Sequence, residues 1–305
     1  MKNANGPVVV AVLQTLLFAS MGIWVRMMQE SFTTYQQVYI RVFLAAVFSW
    51  VIFAKVIKLK QLKCYRAKTW GVYALRALMA FSVGVLLFTY AIQNTKFATV
   101  SFVASLPTLG ILSWLMFRER LAKGSLPFIM LSVVGLVMLT NIDLTNFRLG
   151  KGELAAIVSM IGFNIGYLLS RKHPDGSNKY QDATIVLTFG WIVPFLAVLT
   201  NGERIWPAHI TTVAWVGLIA SVIINIVGLV MINYVFAHMK AYVAGNIFLL
   251  EGVVALIIGM LLYNESVSVR ELVGAGVILA CAYMVAQKDR RGQTIAAEDP
   301  AVEGS

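Results

Sequence analysis

The chain reads as charge-poor apolar stretches of similar length, separated by short polar joints. A helix needs about 20 residues to cross about 30 Å of hydrocarbon. Ten stretches meet that length, at 7–25, 33–54, 69–95, 97–117, 124–142, 153–170, 183–202, 211–237, 241–264 and 270–287. The joints leave no room for a soluble domain, so the pattern predicts an all-α membrane protein with ten transmembrane helices. Pro7 and Pro127 stand near helix starts, where a missing N–H costs nothing, and Pro174 and Pro207 fall in joints. Pro107 and Pro194 lie inside spans and are expected to kink them. Lys2 followed by the apolar run from Pro7 imitates a signal peptide, but further spans follow without pause, and the run reads as an uncleaved first helix.

Composition points the same way. The chain is 59% hydrophobic and 13% charged, where soluble domains average about 45–50% apolar with about a quarter charged. Disorder, a disulfide scaffold and most nucleic-acid modules are thereby excluded. The formal charge of +11 then calls for a membrane explanation, because basic residues are retained in cytoplasmic loops. Sorted by joint, 17 of the 25 Lys and Arg fall on one side. These are Lys2; Lys55, Lys58, Lys60, Lys63, Arg66 and Lys68; Arg118, Arg120 and Lys123; Arg171, Lys172 and Lys179; Lys240; and Lys288, Arg290 and Arg291. The other side carries six, Arg26, Lys96, Arg148, Lys151, Arg204 and Arg270, and Arg41 and Arg76 remain within spans. Both termini are therefore expected in the cytoplasm, as in a multi-pass protein of the inner, cytoplasmic membrane. The tail 292–305 reads as a short disordered cytoplasmic segment. Cys64 sits in the most basic joint and Cys281 in an apolar run, so both are expected to be free thiols.

Sliding the chain against itself by 146 residues superimposes Gly6 on Gly152, Tyr90-Ala91 on Phe236-Ala237, Ala98 on Ala244 and Glu119 on Glu265. Each half, 1–146 and 147–291, holds five spans, and an odd number forces the second half into the membrane upside down. Inverted repeats are a hallmark of secondary transporters, with the substrate site near the midplane. On these residues, together with Ile92, Pro107, the Arg118-Glu119-Arg120 joint, the Gly152-Glu153-Leu154 opening, Leu249-Leu250-Glu251 and Arg41, the chain resembles the EamA-type domain of the drug/metabolite transporter superfamily. The resemblance covers about residues 7–287. It implies ten helices in two inverted five-helix halves and small organic metabolites as substrates, with amino acids and their derivatives a first class, often exported. Family members often carry a proline just after the position of Glu251. Gly252 stands there here and breaks a helix less forcibly, so the expectation of a sharp discontinuity is weaker in the ninth span than at Pro107.

An ionisable group at the bilayer centre costs about 2.5–3.5 kcal/mol on insertion scales. Glu251 lies at the midpoint of the ninth span and Arg41 within about two residues of the middle of the second, roughly 4 Å by helical rise. Two readings stand at this point. Opposite charges at one depth can pair and brace the halves. Alternatively, because burial favours the neutral form of a carboxyl, Glu251 takes up a coupling proton while Arg41 draws in the carboxylate of a substrate. Arg76, nearer the cytoplasmic end of its span, either snorkels or favours anions on the inner side of the pathway. Glu119 and Glu265, near helix ends, are expected to bind backbone N–H groups or neighbouring arginines.

Polar stripes mark further candidates: Ser101, Ser105 and Thr108 around Pro107; Ser221, Asn225 and Gly228 in the eighth span; Asn164, Tyr167 and Arg171 in the sixth. Small polar faces also serve ordinary helix packing. Tyr90, Trp114 and Trp191 offer aromatic walls. The expected substrate-binding set is Arg41, Arg76, Tyr90, Ser105, Asn164, Tyr167, Asn225 and Glu251. His173, His209 and His238 lie singly in joints, with no HExxH, no GxxxxGKS/T and no paired Cys. An enzyme, a cofactor, a metal and a nucleic-acid partner are therefore not expected. The sequence points to a secondary active transporter working by alternating access around a midplane cavity, as exporter or exchanger. A passive channel and a membrane scaffold or receptor are the alternatives, and the choice between monomer and homodimer stays open.

Overall fold

Local sequence starts the helices where the apolar runs begin. Thr33 accepts the Gln36 N–H at 3.2 Å and Gln36 accepts the Thr33 N–H at 3.1 Å, a capping box at the head of the second helix. Asn178 caps the seventh helix and Thr211 the eighth. Such caps contribute about 1 kcal/mol each by satisfying N–H groups that have no partner within the helix.

The computed structural model describes residues 6–95, 100, 103, 106, 108–119, 121–122, 124–140, 150–174, 176–263 and 267–298. Among them the fold is all helical. The helices are α1 (Gly6–Met28), α2 (Thr34–Ile52), α3 (Ala67–Asn94), α4 (Thr108–Phe117), α5 (Leu126–Thr140), α6 (Lys151–Leu169) and α7 (Lys179–Gly190 with Ile192–Thr200). They continue with α8 (Thr212–His238), α9 (Ala241–Phe248 with Leu250–Tyr263) and α10 (Val269–Glu298). Eight of these are long and apolar enough to cross a membrane, while α4 and α5 are apolar but shorter. Their outward side chains are themselves apolar, among them Val51, Leu115 and Leu261, as a lipid-facing belt requires.

Some breaks follow expectation, as that at Pro194 does, and other elements depart from it. α7 is interrupted at Trp191, because Pro194 has no N–H to return to the Gly190 carbonyl. α9 breaks at Leu249, the less firmly expected of the two discontinuities; the Gly252 N–H reaches only three residues back, to Leu249 O at 3.2 Å. Pro107, the other expected break, lies outside the described residues. α3 widens into a π-helix over Leu78–Val85, a form that concentrates at functional sites. The expectation of a disordered tail from 292 is corrected in part: no proline intervenes before Pro300, and α10 runs on to Glu298.

Packing couples the early helices to the late ones: α1 lies on α8, α6 on the π-segment of α3, α2 on α7, α4 on α9 and α5 on α10. Inside a bilayer, helix association comes from close approach and polar contacts rather than from the hydrophobic effect. At the α5–α10 crossing a Cβ on Gly274 would stand 2.5 Å from the Gly135 carbonyl oxygen. At the α3–α6 crossing a Cβ on Gly166 would stand 2.9 Å from that of Ala80, and Ser159 donates to the Gly84 carbonyl at 2.7 Å. Only glycine admits either approach.

Candidate functional site

Where α1, α2, α3, α6, α8 and α9 converge they leave an internal cavity of about 90 Å³, measured to the centres of water-sized spheres. That space holds several waters, since one needs about 10–15 Å³ on this measure. Its polar wall is Gln14, Thr15, Arg41, Asn164, Asn225 and Glu251, and its apolar wall sets Phe18, Phe88, Phe163 and Phe248 among aliphatic side chains such as Met21, Leu109 and Ile224. Tyr167 joins the two walls, stacking on Phe163 at 5.9 Å and packing against Phe18, Phe236 and Phe248. A narrow extension runs past Phe18 and Phe163 to Ala80, Phe81 and Leu229, beside the π-segment.

Arg41 is fully buried in the middle of α2. Its Nη2 donates to Thr89 Oγ1 at 2.8 Å, and that hydroxyl, donating to Val85 O at 2.7 Å, is turned to accept it. Val85 ends the π-segment, so the widened turn orients the arginine. Among the described residues Nε and Nη1 of Arg41 have no hydrogen-bond partner, nor has either amide atom of Gln14. Glu251, half-buried, enters from the first turn of the second part of α9, where the positive end of a helix dipole favours a carboxylate. No ion pair within 4 Å joins it to Arg41; the salt bridges of the described residues lie elsewhere. Of the two readings open from sequence, the bracing pair is therefore not formed, and the two charges face one cavity separately.

Asn164 donates to Thr108 Oγ1 at 2.6 Å, which ties α6 to α4, and Asn225 donates to the Ser221 carbonyl at 2.8 Å. Five of the expected residues, Arg41, Glu251, Asn164, Tyr167 and Asn225, thus meet at the cavity. Tyr90 does not; it packs against an apolar cluster with Met21, Val25 and Ile92. Ser105, like Ser101 and Glu265, lies outside the described residues. Trp114 faces outward and Trp191 meets Phe43 and Phe195 edge to face, so neither forms a cavity wall.

Arg76 is fully buried beyond one end of the cavity and holds Gly166 O, His173 Nε2 and Asn233 Oδ1 at 3.0, 3.1 and 2.6 Å. Of the two readings open for it, snorkelling does not occur, because these acceptors satisfy the guanidinium inside. At the same end Glu119 accepts the Ala241 N–H at 3.2 Å, receives the Ser113 hydroxyl and pairs with Arg171 at 3.2 Å, as expected for a carboxylate at a helix end. Arg171 is thereby withdrawn from the polar stripe of α6. Sequence reasoning missed Gln14 and Thr15, although they are the only polar side chains between Gly6 and Ser20. It also missed Phe18 and Phe163, which carry no signal apart from their neighbours in space.

The family model of the EamA-like transporter family matches residues 6–141 and again 150–287. The chain belongs to the EamA-like transporter family. It is thus an integral, multi-pass membrane protein of the drug/metabolite transporter superfamily. This EamA-like chain is 22% identical over 227 residues to a Clostridium kluyveri protein described as an uncharacterized transporter, covering 72% of this chain and 73% of the relative. Its fold is shared with a protein of known crystal structure at 14% identity, with a TM-score of 0.72 over 94% of this chain and 98% of the other.

Proposed function

We propose that the protein is a secondary active transporter, an exporter or exchanger of small organic metabolites such as amino acids or their derivatives, working by alternating access around the central cavity. The observation that carries this reading is Arg41. A buried guanidinium with two nitrogens left without partners among the described residues, in a cavity that also holds a carboxylate not paired with it, suits a cargo with an anionic head and a cationic or neutral polar partner group. Leaving a buried charge uncompensated costs several kcal/mol, so an anion entering the cavity gains what Arg41 lacks. The aromatic wall takes the apolar body of the cargo.

The alternating-access part of the reading takes the chain as an inverted repeat of two five-helix halves with both termini cytoplasmic. Its support lies in the packing: exchanging each helix for the one five places away turns α1 on α8 into α6 on α3, and leaves α2 on α7, α4 on α9 and α5 on α10 unchanged. The double match of the family model falls on the same two halves. Two such halves rocking about a shared site expose it to either side in turn.

Glu251 is the coupling carboxylate in this reading. Protonating it leaves Arg41 as the sole charge in the cavity and favours an anion; releasing the proton favours the unloaded state. Transport by Glu251→Gln in proteoliposomes, against an imposed pH gradient, tests this. The variant is expected to exchange substrate but not to respond to the gradient, whereas an unchanged gradient dependence would remove Glu251 from coupling. A passive channel would show neither gradient-driven accumulation nor exchange. The substrate is found by thermal-shift screening of a metabolite panel, since a bound ligand raises stability by mass action.

A further inference from the structure

The end of the cavity nearest the joints 53–66 and 173–178 is closed by a buried chain of polar groups drawn from four helices. Tyr73 of α3 donates to Asp182 Oδ1 of α7 at 2.5 Å, and Ser177 donates to Oδ2 at 3.0 Å. His173, just past α6, reaches the same Oδ2 through Nδ1 at 3.0 Å and meets Arg76 Nη1 through Nε2 at 3.1 Å. Arg76 continues to Asn233 of α8, which donates to Lys179 O at 2.8 Å. Gly166 and Asn233 are each one residue from a cavity wall, Tyr167 and Ile232. The network is thus the cavity's end plate, and it links α3 of the first half to α6, α7 and α8 of the second.

The hydrogen-bond geometry sets the protonation state of the ring. Arg76 has only donors, so His173 Nε2 must accept, which leaves Nδ1 carrying the proton given to Asp182. The imidazole is then neutral, and Arg76 and Asp182 balance each other across it. A second proton can add only at Nε2, where it would set N–H against N–H and a second positive charge beside the guanidinium.

We infer that His173 is a proton-binding site separate from Glu251, and that protonating it unlatches the ends of α3, α6, α7 and α8 and opens the cavity toward the joint 173–178. Arg76 and Tyr73 face the ring from α3, with Tyr73 tilted over it at 4.6 Å, and Asp182 faces it from α7. Tyr65 lies behind Tyr73, α8 contributes the uncharged Asn233, and Lys179 is turned over Tyr180 and Tyr234. Asp182 is the one carboxylate among these neighbours, and its Oδ2 is shared with Ser177. Burial, then the charge of Arg76, hold the imidazole below its ordinary value of 6.5, against the opposite pull of Asp182. The sign follows: the latch is whole when His173 is neutral and is lost as pH falls through a midpoint below that of a free imidazole.

The test is a pair of spin labels at Arg66 and Lys172 on the full chain in liposomes, with Cys64→Ser to remove the exposed thiol. One closed distance is expected at about pH 8, and a longer population growing toward about pH 5. His173→Gln, whose amide can donate to Asp182 and accept from Arg76 but takes no proton, is expected to stay closed throughout. Glu251→Gln is expected to open as the unmodified chain does, which separates this site from the coupling carboxylate. An unmodified chain that keeps one distance over this range, or a His173→Gln chain that still opens, would overturn the inference. Should His173→Gln not fold, histidine ¹⁵N spectra of the unaltered protein decide: His173 in the Nδ1–H form, titrating together with the opening, supports the site. An Nε2–H form, or a titration unrelated to the distance, refutes it.

Discussion

Arg41 illustrates how far a single residue could be read before its neighbours were known. Its burial in a span followed from hydropathy, and its role was narrowed to two readings by the presence of Glu251 at the same depth. Choosing between them took Thr89, whose hydroxyl occupies one guanidinium nitrogen and leaves the other two toward the cavity. Arg41→Gln is expected to weaken ligand binding by about thirtyfold or more, the low end for truncating one partner of a buried charged contact. Arg41→Lys should restore the charge but not the forked geometry, and should recover only part of that loss. Isothermal titration with the ligand found by screening measures both, and equal binding by all three chains would move the anion site elsewhere. Arg76 teaches the reverse lesson. The same residue type, also within a span, is fully consumed by Gly166, His173 and Asn233. Nothing in the local sequence separates the two arginines, because the difference lies in partners 90 to 157 residues away.

At the scale of elements, the apolar runs located α1, α2, α6, α7 and α8 closely, since span length is set by bilayer thickness and composition alone. Breaks within spans were less legible. Pro194 announced the interruption of α7, but the break in α9 has no proline, and the π-segment of α3 has no sequence mark at all. Both follow from packing: the widened turn is clamped by glycines of α6, and the α9 break sets Glu251 at a helix start facing the cavity. Close crossings give a direct test. Gly274→Val places a side chain against the backbone at Gly135 and Leu139, which has no flexible end to yield. It is expected to cost about 1–3 kcal/mol, read as a lower thermal midpoint in detergent, whereas Gly276→Ala, open within 4 Å, should leave it unchanged. Equal midpoints for the two would mean that α10 can shift away from α5.

For the molecule as a whole, orientation was argued from 17 basic residues on one side of the joints, and it can be checked with the native thiols. Cys64 is exposed in the most basic joint and Cys281 is buried in α10. A membrane-impermeant maleimide is therefore expected to label Cys64 in inside-out vesicles and not in intact cells, while Cys281 stays unlabelled in both. Labelling of Cys64 from outside would invert the protein. The sequence by itself determined that the chain is helical and membrane-embedded and pointed to a repeat of 146 residues, because these depend on span length, charge asymmetry and self-similarity, all local or additive along the chain. Only the tertiary structure decided which polar residues share a space. It gathered Gln14, Arg41, Asn164, Asn225 and Glu251 around one cavity, and it assembled Tyr73, Arg76, His173, Asp182 and Asn233 into the network that closes one end. The physical reason is the same in both cases. A buried polar group is defined by what satisfies it, and in a bundle of packed helices those partners come from helices distant in the chain.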